Sequence, residues 1–258
     1  MAQIDRHAPG SFCWIELATT DQNGAKQFYQ QIFGWAPNDF PMGPGEVYTM
    51  FRIGGRDAAA AYTLNAEMRA RHVPPHWMLY VATADADQTV SKATEAGGKV
   101  VAGPFDVMDF GRMAVLQDPT GAHFSVWQPK THTGTTVTGE PGTMCWADLS
   151  TPDAEAAAAF YKAVFGWEFS KGQDDYTHIK NGEAFIGGVP PAAHRNPNVP
   201  PHWMTYFLVA DCDASAAQAK QGGANIYMGP MTMEKVGRMA VIADPQGAVF
   251  ALFQPLPH

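Results

Sequence analysis

The chain has 258 residues, long enough for one large domain or two domains of medium size. Its 17 lysine and arginine residues against 25 aspartate and glutamate residues give a net charge of -8 with histidine neutral, which argues against nucleic acid and anionic membranes as partners. The sequence lacks both an apolar run near the roughly 18 residues that span a bilayer and a signal peptide at its start, so we expect a cytoplasmic protein.

Strands and capped helices alternate through the first half of the chain. The opening strand, Phe12 to Leu17, is followed by a helix cap at Asp21 and by apolar residues at helical spacing that end at Gly34. After a Pro-Pro pair at 74–75 a strand and a helix follow again. Proline and glycine mark a loop over residues 38–45. Further strands are predicted over residues 47–53, 58–64, 99–101, 112–116 and 123–128.

The second half of the chain repeats the first. The Phe-Tyr and Phe-Gly-Trp residues of 28–35 return at 160–167, and residues 103–129 share 14 of 27 positions with residues 229–255. Unrelated sequences of this length would share about 2 positions. A polar, turn-rich segment separates the two copies. We therefore predict a first domain over residues 8–129, a linker over 130–142 and a second domain over 143–256.

Two motifs occur in the same order in both copies. The first is Phe-Tyr…Phe-Gly-Trp, and the second is Gly-Arg-x-Ala…Asp-Pro-x-Gly at residues 111–121 and 237–247. Together they resemble the vicinal oxygen chelate superfamily, which includes glyoxalase I, bleomycin-resistance proteins and extradiol dioxygenases. The resemblance implies an α+β fold of four βαβββ modules. These would form two glyoxalase-like domains, in which curved mixed sheets enclose cups.

The resemblance also implies a divalent metal, held in each cup by His, Gln or Glu side chains. Matching the motifs places Trp14 and Trp146 where a ligand is often His, and Ser125 and Ala251 where a ligand is often Glu. The position on the fourth strand falls among residues 58–61 and near 187–188, which cannot bind a metal. A catalytic metal needs about three protein ligands. We therefore predict no cofactor; a divalent metal, if bound, would use the matching ligand types His76 and His202.

Strand alternation predicts which side chains face each cup, because residues two apart share a face of the sheet. If Trp14 and Trp146 point inward, so do Glu16 and Asp148. The candidate catalytic residues are Glu16, His76, Asp148 and His202. The candidate ligand-binding residues are Trp14, Met78, Tyr80, Arg112, His123, Ser125, Trp127, Trp146, Met204, Tyr206 and Arg238.

Each candidate also has a structural interpretation. Trp14 and Trp146 either stack on a ligand or plug a cup that has lost its metal. Glu16 and Asp148 either act as general bases in an apolar cup or lie in water at its rim. The two histidines either take part in chemistry or bond a backbone carbonyl. The two arginines either bind an anionic group or pair with the hairpin aspartates Asp118 and Asp244.

The cysteines and the polar residues of the cups allow two further expectations. Cys13 and Cys145 are equivalent in the repeat, and alternation places Cys13 on the opposite face from Trp14, as a small buried residue and not a nucleophile. Ser125 and His123 make the first cup the more polar one. We therefore expect the first cup to be the functional one.

These residues favour a protein that binds a small, partly aromatic or apolar metabolite or drug in its cup. The alternative is an active lyase, isomerase or dioxygenase. It would be either metal-dependent or a metal-free acid–base enzyme that uses Glu16 with His76, or Asp148 with His202. The partner is then a small molecule, with no nucleic acid and no membrane, and the chain is a monomer or a homodimer.

Overall fold

The computed structural model describes residues 4–172 and 175–256. Within these residues, sixteen strands and five helices are present. In the first copy of the repeat they are β1 Phe12–Thr19, α1 Gln22–Phe33, β2 Ala36–Gly43, β3 Glu46–Ile53, β4 Arg56–Thr63, α2 Ala66–Ala70, β5 His76–Ala82, α3 Ala86–Glu95, β6 Lys99–Val107, β7 Gly111–Gln117 and β8 His123–Pro129.

The second copy has the same order without the short helix α2, which a 3-10 turn at Ala192–His194 replaces. Its elements are β9 Met144–Ser150, α4 Ala154–Phe165, β10 Glu168–Lys171, β11 Thr177–Asn181, β12 Ala184–Val189, β13 His202–Leu208, α5 Cys212–Gln221, β14 Asn225–Met233, β15 Gly237–Ala243 and β16 Val249–Pro255. None of the described helices is long and apolar enough to cross a membrane.

Helices α1 and α4 form where the sequence places a cap, an apolar stripe and a stop. The Asp21 side chain accepts the backbone N–H of Gly24, which satisfies one of the free donors at the start of α1. The stripe buries five apolar residues, and Gly34 ends the helix with a φ of 69°, a left-handed conformation that glycine adopts without strain. Asp153 and Gly166 bound α4 in the same way.

Each copy forms one open, mixed sheet of eight strands. The first sheet has the order β2-β3-β4-β1-β5-β8-β7-β6, and the second has the order β10-β11-β12-β9-β13-β16-β15-β14. Strands β1 and β5 pair antiparallel at the centre, and each has a parallel partner from its own module. The predicted α+β class with four βαβββ modules is confirmed. Each sheet is complete within its own copy.

The predicted loop at 38–45 is wrong for most of its length, because β2 runs through it. Pro37 and Pro41 lie in this strand, which pairs with β3 on one side only. An edge strand tolerates proline, because the missing N–H is not needed by a second neighbour.

The helical faces of the two sheets share one hydrophobic core. Helix α1 packs against α5, and α3 packs against α4, so each helix pair joins the two copies. The indole N–H of Trp35 donates to the carbonyl of Gly142 at 3.0 Å, and that of Trp167 donates to the carbonyl of Gly10 at 2.8 Å. The first-motif tryptophan of each copy therefore binds the other half of the chain.

The two sequence motifs contact each other across the copies. Tyr29 of the first motif donates its hydroxyl to Asp244 at 2.9 Å, and Tyr161 donates to Asp118 at 3.0 Å. The other carboxylate oxygen of Asp118 accepts backbone N–H groups of its own hairpin, as at Gly121. The pairing of arginine with these aspartates is therefore not what the structure shows, since tyrosines and turn amides hold them.

We expect Tyr29→Phe to lower the free energy of unfolding by about 1–3 kcal/mol, because it removes the hydrogen bond to Oδ2 of the buried Asp244 and the acceptor of the Trp77 indole N–H. Urea unfolding followed by circular dichroism measures this value. The matched control is Tyr227→Phe, since the Tyr227 side chain is 64% exposed, and it should unfold like the wild type. Equal stability of the two variants would contradict a role for Tyr29 at the interface.

Candidate functional site

The site lies on the face of each sheet opposite the helices, which we call the first cup and the second cup. On the central strands of the first sheet, Trp14 lies opposite Tyr80 and Glu16 lies opposite Met78. Directly opposed residues of an antiparallel pair project from the same face. The central strands therefore bring four of the predicted site residues together.

In the first cup, Glu16 is the acceptor of a hydrogen-bonded cluster. Tyr48 donates its hydroxyl to one carboxylate oxygen at 2.6 Å, and Tyr80 donates to the other at 2.7 Å. The indole N–H of Trp14 donates to the Tyr48 hydroxyl at 3.2 Å. Burial raises the pKa of Glu16, and the two tyrosine hydroxyls oppose that shift because they stabilise the charged form.

The second cup has the same cluster around Asp148, which is 7% exposed. Tyr176 and Tyr206 donate their hydroxyls to its two oxygens at 2.5 and 2.7 Å. The indole N–H of Trp146 lies 3.0 Å from Asp148 and 2.8 Å from the Tyr176 hydroxyl. Burial raises the pKa of Asp148, and these three donors oppose the shift. An acidic residue with two tyrosines and a tryptophan is thus a repeated feature of the protein.

The sequence analysis missed Tyr48 and Tyr176. Both precede a threonine, and the two Tyr-Thr pairs lie 128 residues apart, between the offsets of 132 for the first motif and 126 for the second. The repeat therefore carried a signal that was not used. Space for the Tyr176 ring depends on Gly188, where a Cβ would collide with its hydroxyl end.

The first cup is closed by the segment that follows β8. The His132 ring lies edge-on to Trp14 with 4.8 Å between ring centroids, and its carbonyl accepts the indole N–H of Trp127 at 2.9 Å. Under this cover Trp14 is only 5% exposed, Tyr80 4% and Trp127 7%. Trp14 is therefore buried beneath this segment.

The second cup is the more accessible one. The equivalent residues Trp146, Tyr206 and Phe253 are each only partly buried. The expectation that the first cup is functional is based on the polarity of Ser125 and His123, whereas accessibility favours the second cup. In the structure Ser125 is buried and His123 is exposed at the start of its strand.

His76 and His202 lie at the start of the central strands, away from hydrogen-bonding reach of the carboxylates. The Nδ1 atom of His76 donates to the carbonyl of Pro74, and that of His202 donates to the carbonyl of Pro200, both at 2.8 Å. Burial lowers the pKa of His76. Within the described part of the chain, no hydrogen bond joins either histidine to Glu16 or Asp148, and each bonds a backbone carbonyl instead.

Arg112 and Arg238 lie on the helical face, outside both cups. Arg112 donates to Asp87 of α3 at 2.7 and 3.0 Å, and Arg238 pairs with Asp213 of α5. Both arginines are held by carboxylates of their own copy. The predicted role in binding an anionic ligand in the cup therefore has no support from their position.

Cys13 and Cys145 occupy β-bulges, where an extra residue interrupts the pairing of the central strands. Cys13 consequently joins the cluster of the first cup, and its expected place on the face opposite Trp14 is wrong. Each thiol donates to a backbone carbonyl at 3.6 Å. Burial raises the pKa of both thiols, that of Cys145 to about 12, which disfavours the nucleophilic thiolate.

Comparison with known proteins identifies the family of this chain. The model of the Glyoxalase/Bleomycin resistance protein/Dioxygenase superfamily matches residues 11–126 and 143–252. The chain belongs to this superfamily. The resemblance drawn from the two motifs is therefore confirmed.

Relatives and solved structures within the superfamily agree with this assignment. A protein of Mycobacterium tuberculosis with the provisional name glyoxylase CFP32 is 40% identical over 100% of both chains. The anthracycline biosynthesis protein DauV of a Streptomyces species is 32% identical, covering 97% of this chain and 95% of that one. A Mn(II)-bound glyoxalase from Novosphingobium aromaticivorans has a TM-score of 0.67 at 16% identity, over 96% of this chain and 83% of that chain. At that identity the likeness shows the fold alone.

The superfamily's divalent metal does not fit the residues of these cups. The cup-face positions Trp14, Ala60 and Ser125 offer no strong ligand beside Glu16. Both oxygens of Glu16 already accept tyrosine hydroxyls. The residues that the structure describes contain no group of three His, Cys, Asp or Glu side chains placed to hold a metal ion.

We expect protein purified without a chelator or an affinity tag to contain far less than one divalent metal ion per chain, because the donor set is incomplete. Elemental analysis measures the content. As a control, adding and then chelating Mn²⁺ should leave the melting temperature unchanged. A stoichiometric ion that is lost in His76→Ala or His202→Ala would contradict this expectation.

We also expect the melting temperature of Asp148→Asn minus that of the wild type to increase as the pH rises above about 4. Burial raises the pKa of Asp148, so its contribution to stability is full below the usual pKa and is lost as the pH rises through the folded-state pKa. Asparagine does not titrate and shows no such loss. Glu16→Gln should show the same trend, since burial also raises the pKa of Glu16. A difference that falls with pH would contradict the shift.

Proposed function

We propose that this superfamily member binds a small, largely aromatic or apolar molecule in its second cup. The observation that carries the proposal is the accessible aromatic surface around a buried, fully hydrogen-bonded carboxylate. Trp146 and Tyr206 provide ring surface, while Asp148 supplies one polar point at the floor. Mostly apolar walls with a few fixed polar groups are typical of small-molecule sites.

Methionines line the same cup. Met204 lies opposite Asp148, Met231 lies opposite Met239, and Met239 lies opposite Phe253. Flexible thioether side chains make favourable contacts with aromatic rings and adapt to irregular shapes. The lining therefore favours a ligand with an aromatic body. The name of DauV as an anthracycline biosynthesis protein is in keeping with that choice.

A metal-free acid–base lyase or isomerase is the second candidate. The observation in its favour is that burial raises the pKa of Asp148, which makes its carboxylate a stronger base than a solvent-exposed one. Asp148 and His202 do not form the predicted pair, so Asp148 would act with Tyr206, whose hydroxyl lies 2.7 Å away. Turnover that Asp148→Asn abolishes, while ligand affinity stays intact, would favour this enzyme over the binding protein.

We expect calorimetry to show that the wild type binds a neutral naphthalene alcohol such as 2-(2-naphthyl)ethanol. Trp146→Leu should weaken this binding about tenfold, because it removes ring surface from the open cup. The matched control is Trp14→Leu, which changes the equivalent residue under the cover of the closed cup. Equal losses in the two variants would contradict the second cup as the site, and an absence of wild-type binding to any naphthalene probe would contradict the proposed function.

A further inference from the structure

We infer that the polar group which the second cup recognises is a cation, such as a protonated or quaternary amine. This inference rests on the proposed function and names the chemistry of its ligand. Three observations support it: the hydrogen-bond donors of the cluster are engaged within it, aromatic rings surround the carboxylate, and no lysine or arginine of the described residues pairs with Asp148.

The donors of the cluster are already used within it. The hydroxyls of Tyr176 and Tyr206 point to the two oxygens of Asp148, and the indole N–H of Trp146 is shared between Asp148 and Tyr176. A hydroxyl carries one hydrogen atom and an indole carries one, so none of these groups has a second to offer. What remains for a ligand is the acceptor side of the cluster and the negative charge. A carboxylate or phosphate ligand would meet like charge here.

The first cup contains an equivalent arrangement of donors around its carboxylate. There the hydroxyls of Tyr48 and Tyr80 point to Glu16, and the indole of Trp14 points to Tyr48. Aspartate in one copy and glutamate in the other keep the charge although their lengths differ. Both copies therefore keep one negatively charged carboxylate. In both, the tyrosine and tryptophan donors point to acceptors within the cluster.

The rings around Asp148 favour a cation as well. Trp146, Tyr176 and Tyr206 meet at the carboxylate through their polar atoms, and all three side chains are partly exposed. Aromatic faces attract ammonium groups, and tryptophan attracts them most strongly. A soft organic cation can therefore lie against these rings with its charge near the buried carboxylate. The net charge of -8 adds long-range attraction.

Two basic side chains of the second copy, Arg238 and Lys180, are held by other groups. Arg238 lies on the helical face and pairs with Asp213. The Lys180 ammonium lies over the Phe185 ring at 4.5 Å from its centroid. His178 lies beside the cluster, since its ring centroid is 5.0 Å from that of Tyr176, and its charge opposes the rise in the pKa of Asp148. No ion pair joins a lysine or arginine to Asp148 within residues 4–172 and 175–256, which leaves its charge for a ligand.

The test compares three probes with one aromatic body and different charges: (2-naphthylmethyl)trimethylammonium, 2-(2-naphthyl)ethanol and 2-naphthylacetate. Calorimetry on the full-length wild type should show the ammonium probe binding at least about tenfold more tightly than the alcohol, and the acetate most weakly. Asp148→Asn should remove the preference for the cation while keeping the affinity for the alcohol. Glu183→Gln, which removes a carboxylate from an exposed turn of the same copy, should keep the preference.

The outcomes separate this inference from the proposed function. If the alcohol or the acetate binds as tightly as the ammonium probe, the cation is excluded and the aromatic binding site stands. If the preference for the cation survives in Asp148→Asn, its assignment to Asp148 is overturned. If none of the three probes binds to the wild type, the proposed function fails and the inference fails with it. The wild-type comparison decides the first and third outcomes even if the variant does not fold.

Discussion

Two buried hydrogen bonds, one from Tyr29 to Asp244 and one from Tyr161 to Asp118, join the helix of each repeat to the hairpin of the other. Each aspartate also fixes its own hairpin through backbone N–H groups, so one carboxylate serves a turn and the helix of the other copy. Because the helical faces share one core, both cups must face away from it. The direction and separation of the cups therefore depend on this reciprocal contact.

The two cups have the same cluster but different covers. In the first copy the segment after β8 turns back over the cup, where His132 contacts Trp14 and binds Trp127. This segment must also reach the second copy, so its path is set by the connection between the domains. The second cup keeps its aromatic surface partly accessible. A duplication can thus leave one cup closed by a connecting segment while the other stays partly accessible.

The chemistry of the cups follows from the tryptophan, tyrosine and acidic side chains on the central strands. Trp14 and Trp146 stand where a ligand is often histidine, and each donates its N–H into a tyrosine–carboxylate cluster. A buried carboxylate is costly unless hydrogen bonds stabilise it, and the tyrosines provide these bonds without adding positive charge. The result is a fixed negative centre among rings. Both oxygens of each carboxylate are engaged by tyrosine hydroxyls within this centre.

The sequence alone determined the repeat, the capped helices, the α+β class and the placement of Trp14 beside Glu16, because all of these depend on local periodicity and on motifs. It did not determine the tyrosine partners, the closed first cup or the position of Cys13. Those features depend on strand register, on a β-bulge that shifts alternation by one residue, and on a connecting segment that folds back across a sheet. Such contacts join residues far apart in the chain, and only the tertiary structure decides them.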